Sequence, residues 1–203
     1  MFINISTDQV HLALNDEQYF FNRDDVEKTF GPKLIELAKK YNFSDVTVLN
    51  GPGGFTNLRV GALCLNMLNT LFEERFNFYD IDKITLYKHL VDQGILPNKG
   101  VIYIGQRKNI WDYDFAKDEY TQTQKTKLFK EKIKEDYFFD LVYDEEYFGK
   151  KMLAITGNGK QIAITTAEGK VINLDIAKDC NIKPEKYIKA NYFIQPILGK
   201  QGQ

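Results

Sequence analysis

The chain has 203 residues, 43% of them hydrophobic, which is enough to bury the core of one large domain or two small lobes. Its 27 basic and 28 acidic side chains leave a formal net charge of −1, which excludes a generic electrostatic grip on nucleic acid and leaves only a local basic patch for that role. No stretch reaches the length of a bilayer span, and Met1-Phe2-Ile3-Asn4 has no basic or long apolar leader, so a soluble, cytoplasmic protein without a signal peptide is expected.

Phe2 to Ser6 reads as a strand. Val10, Leu12 and Leu14 alternate with Gln9, His11 and Ala13 as in a half-buried strand, with His11 pointing outward. Asn15-Asp16 is a hairpin signal, and Gln18 to Phe21 completes an antiparallel meander. Asp24-Asp25 opens a helix in which Val26, Phe30, Leu34, Leu37, Ala38 and Tyr41 recur at helical spacing, with Gly31-Pro32 expected to kink or locally break it. The apolar run Val46 to Leu49 is the next strand.

Gly51-Pro52-Gly53-Gly54-Phe55-Thr56-Asn57-Leu58-Arg59-Val60-Gly61 then joins this strand to a long apolar helix. Three glycines and a proline demand a tight backbone path, and Thr56 or Asn57 is the expected N-cap. Free N–H groups at such a turn can hold an anion, which makes Gly51, Gly53, Gly54 and Thr56 candidates. No lysine follows and no GxGxxG spacing is present, so a purely structural turn is the competing reading. At about 100° per residue, Leu58, Gly61, Ala62, Leu65, Leu68 and Phe72 share one side of the helix. Val60, Leu63, Cys64, Met67 and Leu71 take the adjoining and opposite side. Arg59, Asn66, Thr70 and Glu73 keep a narrow polar stripe. The helix thus has apolar surface for two contacts: its own sheet, and either the preceding helix or a second protein chain.

Tyr79 to Asp82 reads as a short strand and Ile84 to Gln93 as a helix, after which Gly94, Pro97-Asn98 and Lys99-Gly100 mark a lobe boundary. Residues 1–98 form the expected N-terminal lobe and 99–203 the C-terminal lobe, with the final segment returning to the first. Val101 to Ile104 and Ile110 to Phe115 flank a basic turn, and Tyr120 to Thr123 adds a strand. Lys125 to Glu135 is a solvated helix with Leu128, Phe129 and Ile133 inward. Strands follow at Phe138 to Tyr143, Met152 to Thr156, Gln161 to Thr166 and Lys170 to Leu174. Asp175 to Cys180 is a short helix, and the last five residues are expected to fray. No internal repeat is evident.

The residues do not assemble an enzyme. His11 and His89 read as ordinary side chains, the pairs Asp24-Asp25 and Glu145-Glu146 as solvated charges, and Cys64 and Cys180 as reduced thiols without metal spacing. Arg107 and Lys108, with Trp111 and Tyr113 beyond, offer either an RNA or phosphate contact or a solvated turn.

Gly51 to Gly61 closely resembles the GPGSFTGLRIG segment of the TsaB family, the bacterial proteins that support synthesis of threonylcarbamoyladenosine on tRNA. Gly54, Asn57 and Val60 replace the family's serine, second glycine and isoleucine. Phe55, Thr56, Arg59 and Gly61 stand as in the family. Phe2 to Leu14 looks like the opening strand pair, with Asn4 and Ile5 where Asp and Thr are usual. Phe30 to Leu37 looks like the LLPxIxxLL helix, Tyr103 to Tyr113 like the DARRGEVYY hairpin with Arg107 matched, and Pro184 to Ile194 like the PEELEPLYLR tail. Gln161 to Leu174 departs, since the family has a helix there.

The resemblance implies an α/β, two-lobed fold like actin and the sugar kinases (ASKHA), with a ribonuclease-H-like mixed sheet in each lobe. It also implies a non-catalytic scaffold or activator that heterodimerises with a TsaD-like transferase for N6-threonylcarbamoylation of the adenosine beside the anticodon. A TsaE-like ATPase belongs to the wider complex, which the tRNA meets as a whole. The chain has no cofactor of its own; ATP and a divalent metal are used by partner subunits. Phe30, Leu34, Leu58, Arg59, Leu63, Met67 and Leu71 are the implied partner-binding residues, and a homodimer through the same helices is an alternative use of them. The competing functional class is an independent actin-like ATPase or kinase, or a peptidase-like enzyme.

Overall fold

The computed structural model describes residues 1–106, 108–130, 137–140 and 153–193. Its organising layer is a mixed sheet. Strands β1 (Phe2–Asn4), β2 (Gln9–Leu14) and β3 (Glu17–Asn22) form the meander, while β4 (Asp45–Leu49) runs parallel to β1 and β5 (Asn77–Ile81) parallel to β4. The order is β3-β2-β1-β4-β5. Asn15 has φ 54°, the left-handed conformation that a two-residue hairpin asks of Asn.

Helices α1 (Val26–Lys40) and α2 (Phe55–Leu71) cover one face of this sheet. Ile3, Val10, Leu12, Val46 and Val48 pack there against Phe30, Leu34, Leu37, Leu58, Leu65 and Leu68. Pro32 does not interrupt α1. The donor it lacks would have served the carbonyl of Lys28, an exposed residue that water can satisfy. Gly31 brings the two helices close, since a Cβ there would sit 3.4 Å from the Cys64 sulfur. Gly61 does the same for helix and sheet: a Cβ there would lie 2.4 Å from Cγ2 of Ile5.

The opposite face is covered as well. Phe2, Ala13, Leu49, Tyr79 and Ile81 share a core with Ile155, Ile162 and Ile164 of a second sheet, formed by β10 (Ala154–Asn158), β11 (Gln161–Thr165) and β12 (Val171–Asp175). The Thr47 hydroxyl donates to the Gly159 carbonyl, and Lys160 stands 3.4 Å from Asp45. This double cover overturns the half-buried reading of β2. Ala13 is buried, and His11 lies half-buried with its ring stacked on Phe20 at 4.6 Å. It also accounts for the strands at Gln161 to Leu174: the hairpin supplies the flat apolar face that the first sheet needs.

A third sheet joins β6 (Lys99–Tyr103), β7 (Asn109–Asp114), β8 (Glu119–Gln124) and β9 (Tyr137–Phe139) in the order β8-β7-β6-β9. It packs with α3 (Lys83–Asp92), whose N-cap Asp82 accepts from the Thr85 amide. Helix α4 (Lys125–Lys130) links β8 to β9, and α5 (Ile176–Asp179) follows β12. No repeat is evident in the sequence, yet the backbone repeats itself. Meander, helix and parallel strand beside the first strand describe β1–β3, α1 and β4, and again β6–β8, α4 and β9. The lobe boundary expected at 98/99 falls between α3 and β6, and one apolar core runs across it from Phe2 and Leu49 to Ile102 and Trp111. Arg107, Ile133, Glu145-Glu146, Met152 and the last ten residues lie outside the described residues, and the side chains of Leu128 and Phe129 are likewise outside. No helix among the described residues is long and apolar enough to cross a membrane.

Beyond α5 the chain returns to the first sheet. Glu185 and Phe78 exchange both backbone hydrogen bonds at 2.9 Å, and residues 186–191 then run between α2 and the end of β4. Nearby, Asp80 on β5 is pushed up to about 7 from an ordinary 3.8, chiefly by burial. The Asn50 amide at 3.0 Å opposes the shift, and Glu185 and Asp82 add to it. Between about pH 4 and 7 Asp80 therefore keeps a proton in the folded chain that it has released in the unfolded one, so its own contribution to stability falls as pH rises through this window and levels off above it. Asp80→Asn should abolish that slope and raise stability at pH 8 by at most on the order of 4 kcal/mol. Denaturant unfolding from pH 4 to 8 measures it.

Candidate functional site

The glycine turn is filled from three sides by backbone. A Cβ on Gly53 would lie 2.3 Å from the Ser6 carbonyl oxygen, one on Gly105 2.3 Å from the Gly53 oxygen, and one on Gly51 2.5 Å from the Asn191 oxygen. Gly51 and Gly105 also have φ of 76° and 78°, which only glycine adopts without strain. The β1–β2 loop, the β6–β7 turn and the returning tail thus meet on this one loop. Carbonyl oxygens stand against Gly51 and Gly53, which are placed as packing residues, whereas the space beside Gly54 is open. Helix α2 starts with Gly54 as N-cap, with no side-chain cap bond, which corrects the expectation of Thr56 or Asn57. Asn57 is buried and its amide donates to the Thr7 and Asp8 carbonyls at 2.7 and 3.0 Å, tying the β1–β2 loop to the helix.

The two positions where the family has Asp and Thr are also engaged internally. Oδ1 of buried Asn4 accepts from the Ser6 amide and hydroxyl at 2.9 and 2.7 Å. Ile5 is fully buried against Gly61.

Below this junction is a cluster that the sequence reading did not find. Lys83, at the start of α3, and Asp140, after β9, have side chains with 0% exposure and stand 2.5 Å apart. The lysine also donates to the Tyr103 carbonyl at 3.0 Å, the Tyr103 amide donates to Asp140 at 3.0 Å, and the Tyr87 hydroxyl donates to the other carboxylate oxygen. The Tyr103 hydroxyl reaches Asp8 of the β1–β2 loop. Burial pulls the Lys83 ammonium down against the opposing pull of Asp140, and burial lifts both tyrosines further from ionisation. The two charged members stand 57 residues apart in the chain, so no local spacing announces them. Loss of one partner of a buried pair strands the other charge. Lys83→Met should therefore cost about 3–5 kcal/mol, and Lys83→Met with Asp140→Leu should recover part of it. Urea unfolding of the two variants separates a held ion pair from a dispensable one.

The second candidate surface is the outer side of α2. Leu63, Met67 and Leu71 are 56%, 55% and 61% exposed, with Arg59 and Phe55 exposed beside them and Val60 and Cys64 half-buried. Burial raises the Cys64 thiol above its ordinary value, so it is an apolar filler in this face. Phe30, Leu34 and Leu58 are different. At 1% exposure or less they belong to the core between helices and sheet, and they support the surface from beneath without forming it. Asn66, assigned to the polar stripe, faces the returning tail: it donates to the Ile188 carbonyl and accepts from the Ile188 amide, both at 2.9 Å.

No family model matches the chain, and no curated protein matches it. Among solved structures, it is similar to YeaZ from Pseudomonas aeruginosa, at 12% identity and a TM-score of 0.35, over 60% of this chain and 62% of that one. A second structure, described as an uncharacterized protein with similarity to peptidase YeaZ from the same organism, gives 14% identity and 0.35 over the same shares. The chain thus spans less than two thirds of the proteins it matches. Likeness at this level is too low to carry function from them to this chain.

Proposed function

We propose that this protein is a non-catalytic docking subunit that presents the outer side of α2 to another protein. The observation that carries the proposal is the row Leu63, Met67 and Leu71, three large apolar side chains more than half exposed on one rigid helix. Scattered apolar residues are common on surfaces, but a contiguous row flanked by Val60 and Phe55 marks an interaction face. The core residues beneath it, together with the close α1–α2 contact at Gly31, hold the helix ready without rearrangement.

The resemblance of Gly51 to Gly61 to the TsaB segment supplies the finer reading. The partner is a TsaD-like transferase, and the chain supports threonylcarbamoylation of tRNA within a complex that includes a TsaE-like ATPase. The repeated meander–helix–strand arrangement supports the actin-like, ribonuclease-H-like fold that this reading requires. Leu63→Glu or Met67→Glu should reduce affinity for the TsaD-like protein by roughly tenfold or more and leave the circular dichroism of the isolated chain unchanged. Co-elution in size-exclusion chromatography reads the result, and undiminished co-elution would reject the assignment.

A second reading uses the same face for self-pairing, favoured by the three- and four-residue spacing of Val60, Leu63, Met67 and Leu71. Sedimentation of the chain alone and with the TsaD-like protein separates the two. For the enzymatic alternative, Asn4 is the decisive residue: an amide lacks the negative charge that Mg²⁺ favours, and its oxygen already serves Ser6. Calorimetry of the isolated chain with Mg-ATP is expected to show no micromolar binding and no turnover.

A further inference from the structure

The returning tail is held through its main chain. After the two bonds between Glu185 and Phe78, the Lys186 carbonyl accepts from the Asn69 amide at 2.6 Å. The Ile188 N–H and C=O both pair with Asn66. The Lys189 carbonyl accepts from the Asn50 amide at 2.8 Å, and the Asn191 amide donates to Asn50 at 3.2 Å. Three asparagines from α2 and the end of β4 thus read backbone groups over a run of residues, in the manner of an edge strand receiving a peptide. Only one tail side chain in this run, Ile188, is fully buried, at 2% exposure in the core under α2. Lys186 reaches the Glu74 carbonyl at 2.8 Å and the Tyr187 hydroxyl reaches the Glu74 carboxylate at 2.9 Å, both from exposed positions.

We infer that the channel between α2 and β5 is a peptide-binding groove, occupied in the monomer by residues 184–193 of its own chain and able to take the same segment from a second copy. Two properties of the groove lead there. With the tail in place Asn50 and Asn69 are 1% and 0% exposed, and each divides its amide between the tail backbone and a group of its own lobe, the Asp80 carboxylate for Asn50 and the Phe76 carbonyl for Asn69. And because the polar contacts of residues 185–191 are chiefly to main chain, with Ile188 as the buried anchor and Tyr192 stacked on Phe55 at 5.0 Å beyond it, none of them requires the segment to be tethered. Most residues from 184 to 193 are exposed, the setting in which local opening is easiest. The groove adjoins the docking face where Tyr192 stacks on Phe55, but its bonds to Asn50, Asn66 and Asn69 involve none of Leu63, Met67 and Leu71, so the inference stands apart from the docking proposal.

The probe is a labelled synthetic peptide with the sequence of residues 184–193, added to the full-length chain. Ile188→Asp in the chain puts a carboxylate where the core admits none and frees the groove. The peptide should bind this variant at least tenfold more tightly than the wild-type chain. Binding should be lost when Asn66→Ala is added to the chain or when the peptide itself carries the Ile188→Asp change, and it should persist with Met67→Glu. A folded Ile188→Asp chain that does not bind the peptide would overturn the inference. If that variant fails to fold, hydrogen exchange of the wild-type chain decides. An Ile188 amide exchanging at least tenfold faster than those of Leu65 and Leu68 supports a detachable tail, and equal protection of all three rejects it.

Discussion

A lysine with no exposed side-chain surface sits between the two repeated halves of this protein, and much of the architecture depends on how it is satisfied. Lys83 stands 2.5 Å from Asp140, and the carboxylate in turn collects the Tyr87 hydroxyl and the Tyr103 amide. In a medium where an unpaired charge is very costly, these groups hold α3, β6 and the end of β9 at one point. Tyr103 extends the hold to Asp8 and so to the β1–β2 loop. The glycine turn packs into the space that these loops leave, and Gly53 and Gly105 are required because backbone meets backbone there. At Gly51 and Gly53 the turn is thereby a joint, with carbonyl oxygens packed against it, while Gly54 faces open space.

The joint also accounts for the residues at the start of the chain. Asn4 turns the loop by accepting from Ser6, and Ile5 adds a methyl surface against Gly61. Asn4 ends, and Ile5 directly follows, the strand central to the first sheet, which is covered on both faces. With that strand given to packing, exposed apolar surface lies further out, on the side of α2 that no described element covers.

Legibility in the sequence followed the range of the interactions. The periodicity of α1 and α2, the meander at the N-terminus and the strand–glycine–helix unit are local patterns, and they were readable to within a few residues. The two faces of α2 were separable by angle because Leu58, Leu65 and Leu68 lie on the core side while Leu63, Met67 and Leu71 fall on the other. The N-cap was misjudged because Gly54 caps by conformation alone, with no side chain to advertise it. His11 was read as outward because alternation assumes one covered face, and β10–β12 cover the second from more than 130 residues away. Phe30, Leu34 and Leu58 were grouped with the surface because an apolar residue near an interface and one in it look alike in sequence. Lys83 and Asp140 gave no signal at all. Asn66 gave none either, because it falls in the same polar stripe as Arg59 and Thr70, and the tail that lies along it is distant in sequence.

That tail arrives late. Asn50, Asn66 and Asn69 are all made by residue 69, and the tail groups that pair with them lie between residues 186 and 191. Strands, helices and most of the core of the first sheet can form as the chain emerges, with Asn50 held by Asp80 and Asn69 by Phe76 in the meantime. The Asn66 pairing spans 122 residues, so the groove beside α2 is a late closure of an early-formed sheet.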